Sequence, residues 1–501
     1  MSQVEFPKAR IAGTILFLVA ALLAQATGFA QQAAPAAPSD GLQAAEALED
    51  VLVSAIASAE RSVVAIARVR RDDSLPIDTV GDAFQRLRPA PLPRPGDPEF
   101  IPNEYATGVV VGAGLILTAH HVLQEDCEYW ITTAGRKTYK VSRVRGADPR
   151  SDLAVLQVDA PNLVPIKFGD ASKLKKGQIV IALGNPYAIA RDGEVCASWG
   201  IIANLSRKDG PSMPERDERP GPTRTTLGQY GNLIQTDAKL NLGTSGGALL
   251  NLQGEMIGMT VSLSAALGYE QAAGFAIRVD ETFHRALEAL KQGSEVEYGF
   301  LGVELPFSSD PRVRAMQGAV VQSTVESTPA GRSLLQPGDL ITQVNDIPVR
   351  EADDLLLQVG KLPPGASVRL TIERDGRIET VIIPELAKYF VSRKKIVTNK
   401  PPAWRGIRVD YVTASPRLKE LSDQRRIDPQ GSVMITEVEQ DSPAWNEGLR
   451  PEMMVSHVGT QRVTTPHEFR QAVASQSGPV QLRLSPPDDD RPERTIPPDA
   501  S

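Results

Sequence analysis

Short apolar runs set close together, with glycine and polar turns between them, fill the chain from about residue 60 to residue 260. Residues 62–69 read Ser-Val-Val-Ala-Ile-Ala-Arg-Val, and residues 107–118 read Thr-Gly-Val-Val-Val-Gly-Ala-Gly-Leu-Ile-Leu-Thr, two strands about a Gly-Ala-Gly turn. Further strands are predicted at 129–133, 139–144, 153–158 and 179–183, and 249–261 reads as a hairpin. Strands this short and this closely spaced argue for a β-barrel or sandwich rather than alternating β-α units. Apolar residues at helical spacing predict a helix over 42–59. Two polar, proline-bearing stretches, 71–103 and 207–230, read as a long surface loop and an insertion.

Beyond about residue 290 the pattern changes and an internal repeat appears. Thr328-Pro329-Ala330, followed by Leu335, Pro337 and Val344, recurs without gaps as Ser442-Pro443-Ala444 with Leu449, Pro451 and Val458. Two copies of one small module are expected. In each copy a hydroxyl residue followed by proline reads as a helix start, the hydroxyl capping and proline at the first helical position. Each module is expected to run as strands, a short helix, more strands and a second helix. Residues 388–402, basic and proline-containing, join the modules, and 485–501 reads as a disordered tail.

A chain of 501 residues exceeds one core and should divide into several domains. Lys and Arg number 54 against 61 Asp and Glu, a net charge of −7, and no dense basic block occurs, so nucleic acid is not an expected partner. Lys8 and Arg10 precede an apolar run over 11–24 and the small residues Gly28 and Ala30, the order of an export signal cleaved near Ala30 or at Ala26, with an uncleaved anchor as the alternative. That run is short for a membrane span. The two cysteines, Cys127 and Cys196, allow one bridge or two unpaired thiols, and sequence leaves both open.

Candidate chemistry centres on Gly243-Thr244-Ser245-Gly246-Gly247. A serine hydroxyl needs a base and a group to orient that base. Glycines allow backbone N–H groups, here those of Gly243 and Ser245, to converge on a developing oxyanion. Upstream, Thr118-Ala119-His120-His121 places His121 at the start of a short helix after the hairpin. Asp152 precedes Leu-Ala-Val-Leu, where a carboxylate needs a partner. The order His, Asp, Ser is that of chymotrypsin-type hydrolases. The string Gly-x-Ser-x-Gly also matches the nucleophile elbow of α/β-hydrolases, with Asp280 and His284 downstream. An elbow needs an apolar strand before the serine, however, and residues 235–239 are Gln-Thr-Asp-Ala-Lys. Asp280 and His284 fit a helix at the domain end better.

Five ordered segments resemble the HtrA (DegP-type) serine proteases: Thr-Ala-His-His-Val-Leu at 118–123, Ser-Asp-Leu-Ala-Val-Leu-Gln-Val at 151–158, Ala-Leu-Gly-Asn-Pro-Tyr at 182–187, the stretch 234–251 around Ser245, and Gly-Phe-Ala-Ile at 274–277. The repeats resemble that family's C-terminal PDZ domains. The resemblance implies a mainly β chain: a chymotrypsin-like double β-barrel followed by two small α+β PDZ-like domains. It implies His121, Asp152 and Ser245 as the triad, no metal or organic cofactor, and a periplasmic or cell-envelope location. The activity implied is ATP-independent endoproteolysis of unfolded or misfolded proteins by a homotrimer or larger assembly. A holdase that binds clients without cutting them is the alternative. The family usually carries Asn where this chain has Thr244.

By analogy Met259, Thr260 and Val261 line the specificity pocket, which predicts cleavage after small or medium aliphatic residues. PDZ-like modules capture a C-terminal carboxylate in backbone N–H groups. That loop is expected at Gly299, Phe300, Leu301 and Gly302 in the first copy, and around Trp404 to Ile407 in the second, where Pro-Glu-Met replaces Pro-Gly-Asp. The expected boundaries are a signal at 1–30, a linker at 31–44, the protease at 45–290, PDZ-like modules at 296–388 and 402–485, and a tail at 486–501.

Overall fold

The computed structural model describes residues 40–70, 104–185, 194–208, 226–261, 274–306, 316–474, 476–485 and 492–498. The export signal, the proline-rich stretch 71–103 and most of the 207–230 insertion lie outside the described residues. The chain divides after Val53, and the unit before that division contributes the first part of a helix, α1 (Asp40–Ala59). No helix among the described residues is long and apolar enough to cross a membrane.

Twelve strands of the second unit build two barrels. Strands β1 (Val63–Arg70), β2 (Glu104–Gly112), β3 (Leu115–Ala119), β4 (Cys127–Thr132), β5 (Thr138–Asp148) and β6 (Leu153–Val158) close in the order β1-β2-β3-β6-β5-β4. Strands β7 (Ile179–Gly184), β8 (Cys196–Arg207), β9 (Leu233–Thr236), β10 (Ala248–Leu250), β11 (Met256–Val261) and β12 (Gly274–Arg278) close as β10-β11-β12-β9-β8-β7. Ile66, Val109, Ile116, Leu117 and Ile131 fill the first barrel, and Ile181, Leu183, Ile202, Ile234, Leu249 and Met259 fill the second. Closure leaves neither barrel an open strand edge within itself. Of the barrel or sandwich that the run of short strands predicts, the chain forms barrels, two of them, as the family resemblance implies.

A helix, α2 (Glu281–Gln292), follows. Asp280 caps it by accepting the Phe283 N–H at 3.0 Å, and Gly293 ends it at φ 75°. Asp280 and His284 thus stand at a helix start, as the polar strand before Ser245 requires.

The first module packs its core around Ile341, Val344, Leu355, Leu370, Ile372 and Ile383. The second packs around Ile407, Val433, Ile435, Val455, Phe469 and Leu482. Their loops share two features. Gly302 and Gly406 stand at φ 88° and 89°, and a Cβ on either would sit 2.1 Å from the hydroxyl of Thr328 or of Ser442. The Val325 N–H donates to Gly302 O at 2.9 Å, and the Glu439 N–H donates to Gly406 O at 2.7 Å.

Three expectations are corrected. Ser442 caps a helix over Pro443–Asn446, but Thr328 starts only turns. Its hydroxyl does accept the Gly331 N–H at 3.3 Å, and Gly331, where the second copy has Trp445, disfavours continuing the helix. The tail is not disordered throughout: Glu493–Ile496 forms a strand antiparallel to Val480–Leu484, with Ile496 buried in the second module. Residues 388–402 are more than a joint. Lys388 belongs to a strand, Ala387–Lys388, and Ile396–Val397 pairs with Gly146–Ala147 of β5.

Candidate active site

The loop between β9 and β10 carries Ser245, and it is held against the first barrel by one residue of β2. The Thr107 N–H donates to Ser245 O at 2.9 Å, and its hydroxyl donates to Gly243 O at 2.7 Å and accepts the Asn185 N–H at 2.9 Å. Thr118, three positions before His121, donates its hydroxyl to Thr107 O at 2.8 Å. Gly246 is obligatory here. Its φ is 85°, and a Cβ would lie 2.2 Å from Thr107 O and 2.4 Å from the Thr118 hydroxyl. The residue after the serine therefore abuts the segment that leads into His121.

Thr244 is buried, and its hydroxyl donates to Asn241 O at 2.7 Å. Its carbonyl accepts the Thr260 hydroxyl at 2.6 Å and the Gly247 N–H at 3.0 Å. Gly243 stands at φ 92°. The two residues before Ser245 are thus fixed through their carbonyls by side chains of other strands, and Gly246 after it donates its N–H to Thr260 O at 2.9 Å.

Of the two adjacent histidines, His121 meets Asp152. Its Nδ1 lies 2.7 Å from Asp152 Oδ2, and its backbone N–H donates to Oδ1 at 3.0 Å. The His120 N–H donates to Asp152 O at 3.0 Å, while the His120 ring turns outward, with Nε2 3.3 Å from Lys394 O. Asp152 is buried and adopts φ 59°, an unfavourable conformation for a side-chain-bearing residue that the surrounding contacts impose. Burial pushes its carboxyl up, but the His121 imidazole and N–H outweigh burial and hold it below the ordinary aspartate range.

The turn that presents Asp152 is clamped from the first module. Ser151 donates its N–H at 2.8 Å and its hydroxyl at 2.6 Å to Asp148 Oδ2, and the Tyr298 hydroxyl donates to the same oxygen. Burial, and then the Asp148 charge, push the Tyr298 phenol well above its usual range, so it stays a donor. The Arg150 guanidinium lies 3.7 Å from the Tyr389 ring centroid, and the Tyr389 N–H donates to Tyr298 O at 2.7 Å. Motif reading missed Thr107, Arg150, Tyr298 and Tyr389, because nothing in a strand threonine or an isolated tyrosine marks which distant loop it will meet.

A cavity of about 760 Å³ opens beside this pair, lined by His121, Asp152, Leu227, Val261, Arg278 and Arg393 among others. The Met259 and Thr260 side chains are fully buried, and Val261 reaches the cavity wall. In the first module Gly299–Phe300 pairs with Ala387–Lys388, Leu301 is buried, and Gly302 makes the left-handed turn already described. Cys127 is buried and Cys196 exposed, and both are unbridged. No cluster of three metal-ligating side chains occurs among the described residues.

The family model described as trypsin-like peptidase domain matches residues 106–259, and that described as PDZ domain matches residues 299–384. A protein of Pseudomonas fluorescens named "Probable periplasmic serine endoprotease DegP-like" is 31% identical over 399 residues, which cover 77% of this chain and 77% of that protein. This chain belongs to the DegP-like serine endoproteases. It is therefore a serine endopeptidase with a trypsin-like domain and a PDZ domain, and a periplasmic one, as its relatives are named. The "Periplasmic serine endoprotease DegP" of Salmonella typhimurium is 29% identical over 385 residues, covering 75% of this chain and 73% of its own. Among solved structures, the HtrA-type protease AlgW with decapeptide aligns with TM-score 0.47 and 24% identity over 70% of this chain and 99% of its own. A serine endoprotease from Yersinia pestis aligns at 0.44 and 23%, over 67% and 97%.

Proposed function

We propose that Ser245, His121 and Asp152 are the catalytic triad of this DegP-like endopeptidase. Ser245 attacks the peptide carbonyl, His121 takes its proton and returns it to the leaving amine, and Asp152 fixes the imidazole tautomer. The N–H groups of Gly243 and Ser245 serve as oxyanion donors. The observation that carries this reading is the pairing of His121 Nδ1 with buried Asp152, on a segment tied through Thr118 and Thr107 to the carbonyl of Ser245. A carboxylate held ionised against Nδ1 leaves Nε2 to act as the base.

The substrates proposed are unfolded or misfolded proteins, cut without ATP after small or medium aliphatic residues by a pocket whose wall includes Val261, with the buried Met259 and Thr260 behind it. The first module takes C-terminal peptides at Gly299 to Gly302. The second is a PDZ-like copy, a reading supported by the matched glycine and hydroxyl pairs at Gly302 and Gly406. A homotrimer or larger assembly completes the proposal, to be read from the mass in solution.

Digestion of an unfolded protein, together with labelling by a fluorophosphonate, tests the triad. Wild type should cut and label, and Ser245→Ala and His121→Ala should do neither. Cleavage by Ser245→Ala equal to wild type would sink the serine mechanism, and no cleavage by wild type would turn the reading to a holdase.

A further inference from the structure

The connection from β5 to β6 carries two buried ionisable residues besides Asp152. Asp148 ends β5, Arg150 follows within the turn, and both are withdrawn from water. Such groups are tolerated in an interior only where other atoms replace the water they lose. Part of that replacement comes from the first module.

Asp148 Oδ2 accepts three donors among the described residues. Ser151 supplies its N–H at 2.8 Å and its hydroxyl at 2.6 Å, and Tyr298 supplies its hydroxyl. Arg150 has no acceptor for Nε or Nη1 among the described residues, and aromatic faces stand in for one. Its guanidinium carbon lies 3.7 Å from the ring centroid of Tyr389, 5.5 Å from that of Tyr298 and 5.9 Å from that of Tyr230. Tyr298 therefore meets both residues, Asp148 with its hydroxyl and Arg150 with its ring. Its own place is set by full burial and by its carbonyl, which accepts the Tyr389 N–H at 2.7 Å. Without the first module, Asp148 would lose one donor and Arg150 its two nearer rings.

The far end of this connection is where the backbone is least at ease. Asp152 stands at φ 59°, and a residue with a side chain keeps such a conformation only while its neighbours enforce it. Ser151 is that neighbour, bonded twice to Asp148 and joined directly to Asp152. Relaxation of the turn would carry the Asp152 oxygens away from His121 Nδ1 and from the His121 N–H, which they now meet at 2.7 and 3.0 Å.

We propose that Tyr298 is a positioning residue for the triad: through Asp148 and Ser151, its hydroxyl holds Asp152 in the backbone conformation that faces His121. The inference rests on the triad reading, since it is the pairing of Asp152 with His121 that gives the turn its task. It makes the first module part of the framework that aligns the reacting groups.

Tyr298→Phe tests this, because it keeps the ring beside Arg150 and removes only the hydroxyl. In the full chain, assayed on an internally quenched peptide below the melting temperature of every variant, kcat should fall by about tenfold with KM within about twofold of wild type. The rate of fluorophosphonate labelling should fall in step. Asp148→Asn should lower kcat as well, and the double variant should fall no further than Asp148→Asn alone, as for two residues acting in one chain of contacts. Lys208→Ala serves as the control for docking. It breaks the ion pairs of Lys208 with Glu351 and Asp353 of the same module without touching the turn, and it should leave kcat within about twofold of wild type. An undiminished kcat in Tyr298→Phe, losses that multiply in the double variant, or an equal loss in Lys208→Ala would overturn the proposal. Ser245→Ala keeps the two readings apart. If cleavage depends on Ser245 but not on the Tyr298 hydroxyl, the positioning role fails and the triad stands, whereas cleavage by Ser245→Ala removes both.

Discussion

Thr107 is the residue on which the Ser245 loop hangs. Its hydroxyl joins Gly243 O to the Asn185 N–H, and its own N–H holds Ser245 O. Thr107→Val keeps the shape and leaves both hydroxyl partners unmatched in a dry interior, each worth roughly 1–3 kcal/mol. We expect kcat to fall by about tenfold or more, with a lower urea midpoint, and Thr107→Ser to recover most of both. An unchanged kcat beside lowered stability would mean that Thr107 serves folding alone. His121, Asp152 and Ser245 stand out in the sequence as candidates because each sits in a short motif whose composition suggests its chemistry. Thr107 does not, because its task is set by how the two barrels meet, which no local pattern records.

Short, closely spaced strands made a barrel or sandwich readable and a recurring motif made the module repeat readable, and where reading failed the local signal was weak. Glu493–Ile496 is four residues that open on two adjacent charges, so its one apolar side chain, Ile496, could not mark it as a strand. The repeat also exposes a strained copy. Gly338, at φ 95°, donates its N–H to Val321 O at 2.8 Å, and Glu452, at φ 72°, donates to Ile435 O at the same distance. Glu452 thus carries a side chain where its counterpart has none, at a cost of about 1–2 kcal/mol. Its exposed pair with Arg417 returns little of this. Glu452→Gly should therefore stabilise the chain by about 0.5–1 kcal/mol, after allowing for glycine's greater freedom when unfolded. A drop in the denaturant midpoint would show that the ion pair matters more than the backbone.

At the scale of the molecule, the segment that follows the protease helix, both modules and the start of residues 388–402 meet at Lys388. Its buried ammonium lies 3.0 Å from Glu295 and from Glu297, which follow the protease helix, and 2.7 Å from Asp410 of the second module. Burial alone would lower its pKa, but the three carboxylates outweigh it and raise the group far above the ordinary lysine range. Lys388→Met should cost about 3–5 kcal/mol, as expected when one partner of a buried ion cluster is removed, and should open residues 389–402 to limited proteolysis. Burial pushes Glu295 up, but Lys388 and Lys395 outweigh it and hold its carboxyl below 4.5. The stability this gives is present above pH 4.5 and lost as pH falls through the depressed value. Proteolytic opening of the junction by acid should therefore begin only below about pH 4.5, and an onset near neutrality would assign it to another group. The sequence could not disclose this junction, since Lys388, Glu295 and Asp410 carry no shared motif. Residues 388–402 have a consequence for shortening the chain. Stopping it at the end of the first module would strip Ile396 and Val397 from β5 and bare the main-chain hydrogen-bonding groups at Gly146 and Ala147. A chain so shortened would present a sticky seam, whereas one that ended just after Asn399 would lose the second module and keep the seam covered.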